Sequence, residues 1–267
     1  MEWKQWYTNL KRSNKKIWTN YLSYNNPDGE GITIKNNDGY ATVIKEADKN
    51  VMYFVTASKE GFADLVKQAP KNTVLNYAYR KENDLLPLSE AAGLERYATY
   101  LRSTICYHKN PYLEKEIPRR LVLQEMYDSE CGEVPTVADI PELDALCRKK
   151  FDPLCDDVFS ESQWRAIVEN KEILVFREAG EITAFYIFRY EGKKLYSNMS
   201  LNIAAANTLY NMERRVFEEA WEKGIRVYYG WGNLDNKRAH THAMSTEIVK
   251  RCAKSIEHLY CDTFYKK

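Results

Sequence analysis

The feature that most constrains the fold is a run of strand, helix and strand signals at residues 194–232. Its first part alternates between two faces: Leu195, Ser197, Met199, Leu201 and Ile203 on one, and Tyr196, Asn198, Ser200 and Asn202 on the other. This two-residue period predicts a strand with one polar face. Apolar residues then recur at helical spacing, at Leu209, Met212, Val216, Phe217, Ala220 and Trp221.

Sequence signals also predict where this helix begins and ends. Asn207 or Thr208 can cap its start, and Gly224 supplies the left-handed conformation at which helices end. Residues 225–231 are β-branched and aromatic, which predicts the next strand. A helix of about 15 residues between two strands suits a right-handed parallel crossover. Its N-terminus, at residues 205–209, would present N–H groups and a positive dipole end to a phosphate; the alternative is an ordinary capped helix.

The remaining chain reads as two runs of strands and helices. The first half is predicted to contain a helix at 2–22, strands at 32–35, 40–46 and 51–56, a helix at 59–68, a strand at 73–79, a helix at 85–92 and a strand at 97–107. Residues 108–120, charged and with two prolines, form the link. The second half adds a strand at 121–126, helices at 138–148 and 160–168, a hairpin at 173–177 and 182–190, the crossover, a helix at 235–244 and a strand at 256–264.

Composition excludes several classes of protein. A hydrophobic fraction of 44% with 13% aromatic residues indicates a globular chain. The six cysteines show neither CxxC spacing nor histidine at metal-ligand spacing, which favours reduced thiols and no metal. No apolar run is long enough to span a membrane, and the charged N-terminus is unlike a signal peptide, so we expect a cytoplasmic protein. A net charge of +1 disfavours nucleic acid as a partner, and nothing indicates the oligomeric state.

The order of elements resembles the GNAT superfamily of acyl-CoA-dependent N-acyltransferases. The run EEAWEKGIRVYYGWGNLDNKRA is similar to the family's long helix, fifth strand and fourth helix, with Asn236 and Ala239 at the family spacing. The run NDLLPLSEAAGLERYATYLR is similar to its fourth helix and sixth strand. The resemblance implies an α/β (α+β) fold of two GNAT-like mixed twisted sheets flanked by helices, in tandem. Residues 1–110 would be a degenerate N-terminal copy and residues 111–267 the acyltransferase domain.

The resemblance also implies acetyl-CoA, or another acyl-CoA, as co-substrate. The family's pyrophosphate loop is R/Q-x-x-G-x-G/A, because glycines let backbone N–H groups approach the phosphates. This chain has no glycine there, although small alanines still permit close approach. The residues expected to bind the co-substrate are Asn202, Ile203, Ala204, Ala205, Ala206, Asn207, Thr208 and Asn236. The first half has only VTASKEGF before its short helix, so no cofactor is expected there.

The implied reaction is attack of an amine, on a small molecule or a peptide, upon the thioester. A backbone N–H near Asn202 or Ile203 would bind the thioester carbonyl. The family's usual tyrosine is absent, because Ala243 occupies its position, so the candidate proton donors are His240, His242 and Tyr228, with Tyr229 as a further option. The histidines lie two residues apart on a predicted helix and do not form a metal pair; an exposed or capping role is their alternative. Tyr196, Asn198 and Ser200 would line the substrate cleft or face solvent.

Two rival functions remain open at this point. The glycine-free loop also resembles the aminoacyl-tRNA-dependent transferases of the Fem type, which share this fold and need a basic groove. A chain that has lost both phosphate loops would instead be a non-catalytic binding module.

Overall fold

The computed structural model describes residues 2–13, 15–21, 31–46, 49–112, 127–204, 207–236 and 247–267, and all structural statements below concern these ranges. The helices are α1 (Glu2–Arg12), α2 (Lys59–Gln68), α3 (Leu86–Ala91), α4 (Ile140–Lys150), α5 (Glu161–Glu169), α6 (Thr208–Glu222) and α7 (Glu247–Cys252). The strands are β1 (Trp18–Thr19), β2 (Gly31–Lys35), β3 (Gly39–Glu46), β4 (Lys49–Thr56), β5 (Thr73–Tyr79), β6 (Glu95–Tyr107), β7 (Ile173–Glu178), β8 (Glu181–Glu191), β9 (Lys194–Asn202), β10 (Val227–Asn233) and β11 (Ala253–Lys266). The strand predicted at 121–126 and most of the helix predicted at 235–244 lie outside the described residues.

The described strands form one mixed sheet. Its order is β2-β3-β4-β5-β11-β6-β10-β9-β8-β7, with β1 paired to β4. The order is symmetrical about the central β11/β6 pair. On one side β4 and β5 are parallel neighbours joined by α2, and on the other side β9 and β10 are parallel neighbours joined by α6. The mixed α/β class predicted from the sequence is therefore confirmed.

The two sheets expected from the sequence are joined into one because each half gives its last strand to the other. Strand β6, which ends the first half, pairs antiparallel with β10 of the second half. Strand β11, near the end of the chain, pairs antiparallel with β5 of the first half. The two exchanged strands also pair with each other along almost their full length. The division at residues 110 and 111 stays a prediction, since the sheet continues across it.

The predicted crossover at the centre of the second half is confirmed. Helix α6 connects the parallel strands β9 and β10 and buries Met212 and Val216. It ends as predicted at Gly224, which has a φ of +77°. The N–H of Gly224 donates to Trp221 O at 3.0 Å, and that of Ile225 donates to Ala220 O at 2.9 Å. These two bonds form a Schellman motif, which satisfies the last carbonyls of the helix.

The predicted alternation of β9 is wrong beyond Ser197, because the strand contains a β-bulge. Phe188 of β8 pairs with Ser197, but the preceding Ile187 pairs with Met199, so Asn198 is an extra residue. Leu195 packs beneath α6, whereas Met199 packs in the core cluster of α4 and α5 on the opposite side of the sheet. The bulge therefore exchanges the two sides of the strand.

The helices lie on two faces of the sheet, which follow from strand alternation. Helices α2, α3 and α6 pack on one face, called here the α6 face. Helices α1, α4 and α5 pack on the other, called here the α5 face. On the α5 face, α1 covers β3 and β4, whereas α4 and α5 cover β7, β8 and β9.

The N-terminal helix is shorter than the predicted range 2–22. It ends at Arg12, and Trp18–Thr19 forms a short strand on β4 instead. The reason is the polar side chain of Asn20, which is buried against the β4 backbone. Its Nδ2 donates to Met52 O at 2.8 Å, and its Oδ1 accepts from the N–H of Phe54 at 2.7 Å. These bonds are available only to an extended segment lying beside β4, and they outweigh the helical pattern of the sequence.

Candidate functional site

An opening in the sheet lies between β9 and β10. The two strands pair in parallel only for residues 194–197 against 227–230. Beyond these residues β9 follows β8 and β10 follows β6, so the strands separate. A Cβ at Gly230 would lie 3.1 Å from the carbonyl oxygen of Ser197, so glycine permits the last close pair before the strands part. Among the described residues, no strand fills the opening.

The start of α6 lies at the open end of β9 on the α6 face. Asn207 occupies the N-cap position, and Thr208 is the first helical residue. Asn202 forms the turn out of β9, because its Oδ1 accepts from the N–H of Ala204 at 3.0 Å. The N–H of Ile203 donates to Thr183 O on β8 at 2.9 Å. Strand alternation therefore directs the Ile203 N–H away from the opening and that of Asn202 toward it.

Tyr228 lies on the α6 face, beneath the helix. Its hydroxyl donates to Glu213 Oε1 at 2.8 Å. Burial, followed by the Glu213 carboxylate, raises the pKa of Tyr228 well above its usual range. The phenol is therefore protonated at neutral pH, and its hydrogen is directed at Glu213.

Aromatic residues line the opening on the α5 face. The ring of Tyr196 stacks on that of Tyr229, with centroids 4.7 Å apart and an interplanar angle of 11°. The Tyr196 hydroxyl donates to Asn198 Oδ1 at 3.2 Å, and the Tyr229 hydroxyl donates to Glu191. Ser200 follows the bulge and falls on the α6 face. The three residues predicted to line a substrate cleft therefore separate, with Tyr196 and Asn198 together and Ser200 on the other side.

Arg102 on β6 is a residue of this surface that sequence reasoning missed. It pairs with Trp231 of β10. Its Cζ atom lies 5.4 Å from the centroid of the Trp231 ring and 5.7 Å from that of Tyr229. No local signal could have identified it, because its neighbours come from a strand more than a hundred positions away in the sequence.

The segment after α4 borders the same surface. Tyr100 donates to Asp156 Oδ1 at 2.5 Å, and Asp156 Oδ2 accepts from the N–H of Asp152 at 2.8 Å. Asp157 lies in the same segment and is exposed. Its carboxylate is the second cause, after burial, of the raised pKa of Tyr196. Asp157 is thus a carboxylate beside the opening that the sequence did not reveal.

Of the other predicted site residues, the structure describes only some. Asn236 lies in a turn after β10, where its N–H donates to Asn233 O at 3.1 Å. Ala205, Ala206, His240 and His242 lie outside the described residues. No cluster of three or more metal-ligating side chains occurs in the described part of the chain. None of its helices is both long and apolar enough to cross a membrane.

The corresponding opening in the first half is filled from within the chain. Strands β4 and β5 pair in parallel only at residues 50–51 against 73–74. Since β3 takes the other edge of β4 along its whole length, β1 must occupy the edge that faces β5. The start of α2 is also satisfied internally, because Ser58 Oγ accepts from the N–H of Gly61 and donates to Asp38 Oδ2, both at 2.9 Å. The two openings thus differ, although the strand order is symmetrical.

The solved structures similar to this chain include GNAT-family acetyltransferases. A putative GNAT-family acetyltransferase from Novosphingobium aromaticivorans is 13% identical, with a TM-score of 0.50 over 88% of this chain and 91% of that one. A GCN5-related N-acetyltransferase from Sphaerobacter thermophilus is 12% identical, with a TM-score of 0.52 over 86% and 76%. A functionally unknown conserved protein from Staphylococcus epidermidis is 8% identical, with a TM-score of 0.50 over 91% and 96%. No protein-family model matches the sequence, and no curated protein is similar to it in sequence. The fold is GNAT-like.

Proposed function

We propose that this protein is an N-acyltransferase that transfers an acetyl or other acyl group from acyl-CoA to an amine. The observation that carries the proposal is the divergence of β9 and β10 beyond Gly230. The divergence would form a path through the sheet, from the helix N-terminus on the α6 face to the polar aromatic surface on the α5 face. A thioester can enter from the first face and an amine from the second.

The α6 face suits the acyl-CoA. The first turn of α6 has N–H groups without intrahelical partners and the positive end of the helix dipole, which favour a pyrophosphate. Asn207, Thr208 and the small residues Ala204, Ala205 and Ala206 would contact it, with Asn236 on the other side of the path. A Cβ at Gly232 would meet no atom within 4 Å, so β10 leaves space on this face for the pantetheine arm.

The transfer requires three proton movements. The ammonium form of the acceptor loses a proton to a base, and its nitrogen then attacks the thioester carbonyl carbon. The C–N bond forms, the C–S bond breaks, the nitrogen loses its second proton, and the thiolate takes up a proton. Asp157 is the proposed base, because its carboxylate lies near Tyr196 beside the opening. Asn202 would bind the carbonyl through its N–H, and Tyr228, His240 or His242 would protonate the thiolate.

Isothermal calorimetry with acetyl-CoA and with CoA tests the proposal. We expect saturable binding of one equivalent of each. An absence of heat at millimolar ligand would contradict the proposed donor. A gel shift with aminoacyl-tRNA in the same buffer would then support the Fem-type function, and no response in either assay would support the binding module.

A further inference from the structure

The guanidinium of Arg102 has no anionic partner in the described chain. Its Nε is buried and makes no hydrogen bond to a described residue. Two carboxylates of this surface accept hydrogen bonds from tyrosines, Asp156 from Tyr100 and Glu191 from Tyr229. A buried Nε donor without a partner is costly unless a ligand pairs with it, which distinguishes the half-buried Arg102 from a fully solvated surface arginine.

Two rings fix the position of this cation. Trp231 and Tyr229 both lie within the range of a cation–π contact with Cζ. Ring contacts do not use the N–H groups of the guanidinium, so those groups stay available to a ligand. A fixed, planar guanidinium is suited to binding a carboxylate through two parallel hydrogen bonds.

The position of Arg102 limits how far a bound anion can lie from the reacting amine. Its strand partner Trp231 is the first residue of β10 beyond the last parallel pair with β9. Neighbouring strands are about 4.8 Å apart, so Arg102 starts one strand away from the opening. Its side chain then extends back over the rings of β10. A single molecule with its anion on Arg102 and its amine in the opening would therefore have only a few covalent bonds between these two groups.

We propose that Arg102 binds a carboxylate of the acceptor, so that the acceptor is an amino acid or another short amine with a carboxylate a few bonds from its nitrogen. This assignment rests on the proposed acyl transfer for its reaction, but its binding site is independent of acyl-CoA. The carboxylate and the reacting amine would occupy the α5 face together, with the rings of Trp231 and Tyr229 beneath them.

Calorimetric titration of the full chain without acyl-CoA tests the binding site. The probes are a set of L-amino acids and the primary amide of each, which keeps the amine and removes the carboxylate. We expect at least one amino acid to bind about tenfold or more tightly than its amide, as a charged hydrogen bond implies. Arg102→Met should lower the affinity for that amino acid to the affinity for its amide, and Arg102→Lys should restore part of the lost affinity. Arg80→Met, at an exposed arginine paired with Glu257, is the matched control and should change neither affinity.

The outcomes separate this inference from the proposed function. If every amino acid binds no better than its amide, or if Arg102→Met preserves the preference, the assignment of Arg102 is overturned. The aminophosphonate analogue of an amino acid carries a phosphonate in place of the carboxylate. If it binds more tightly than the amino acid, the assignment is also overturned, because the site would then prefer a phosphate-like anion. The affinity of Arg102→Met for acetyl-CoA should equal that of the unchanged protein. Failure of acetyl-CoA to bind either protein would refute the donor while leaving the carboxylate site measurable by the same titrations.

Discussion

Gly230 lies so close to Ser197 that a Cβ on the glycine would be 3.1 Å from the serine carbonyl oxygen and 3.2 Å from its Cβ. This contact is the vertex from which β9 and β10 separate. The two residues thus determine where the opening begins, and they do so through backbone contact.

The first prediction concerns this vertex. Gly230→Ala should force the strands apart and lower the free energy of unfolding by about 1–3 kcal/mol, as overpacking does. Urea denaturation measures the loss, and calorimetry with acetyl-CoA shows whether the opening has changed. Gly232→Ala is the matched control for the stability measurement, because a Cβ at that position meets no atom within 4 Å. Equal stability of the two variants would show that the contact does not constrain the sheet.

A second prediction concerns the start of α6. Asn207→Asp places a negative charge at the N-cap, where it would repel a pyrophosphate bound to the same turn. We expect acetyl-CoA to bind about tenfold more weakly, with little change in stability, since the Asn207 side chain makes no capping hydrogen bond to a described residue of α6 that the substitution would remove. Ser162→Asp adds the same charge at the exposed first turn of α5 and should leave affinity unchanged. Unchanged affinity in Asn207→Asp would place the phosphates elsewhere.

Asn20 is predicted to secure β1 in the first-half opening. Asn20→Ala would leave the carbonyl of Met52 and the N–H of Phe54 without their present partner, at a cost of about 2–4 kcal/mol for the two hydrogen bonds. Thermal and urea unfolding measure the cost. Asn170→Ala, at an exposed position at the end of α5, should change stability by less than about 0.5 kcal/mol. A comparable loss in both variants would indicate a general intolerance of asparagine replacement.

A fourth prediction concerns alkaline pH. Burial, followed by the Glu219 carboxylate, raises the pKa of Tyr190 to about 12, against about 10 in an unfolded chain. The stability contributed by the neutral phenol is complete below about pH 10 and is lost as the pH rises toward 12, because the unfolded state releases its proton first. The slope is at most about 1.4 kcal/mol per pH unit, and solvent screening of this half-buried group reduces it.

Tyr190→Phe checks the alkaline effect. The hydroxyl is buried without a hydrogen-bond partner among the described residues, so its removal should not lower stability at pH 7. Urea unfolding between pH 9.5 and 11 should show a shallower decline for the variant than for the unchanged protein. Parallel declines would mean that Tyr190 titrates normally.

The local pattern predicted the crossover well. Apolar spacing and the position of Gly224 identify α6, and β-branched and aromatic residues identify β10, because both signals depend on neighbouring residues alone. The bulge at Asn198 could not be predicted, since one extra residue in a strand leaves the local alternation of residue types unaltered. It is visible only in the register with β8.

The site was predicted less completely for a related reason. The Asn20 contacts, which shorten the N-terminal helix, require the backbone of β4 to be in place. Arg102 and Asp157 acquire their surroundings from strands and loops distant in the sequence. Residues of α6 were identifiable because a helix creates its own N-terminus, whereas the α5 face is assembled from several segments.

The exchange of β6 and β11 has a consequence for synthesis. On the ribosome, β5 emerges long before β11, and the edge that β11 will cover stays bare while the whole second half is translated. Strand edges of this kind invite pairing with other chains. The sheet of the first half is therefore incomplete until residues 253–266 have been synthesised. We expect the growing chain to be most prone to misassembly during that interval.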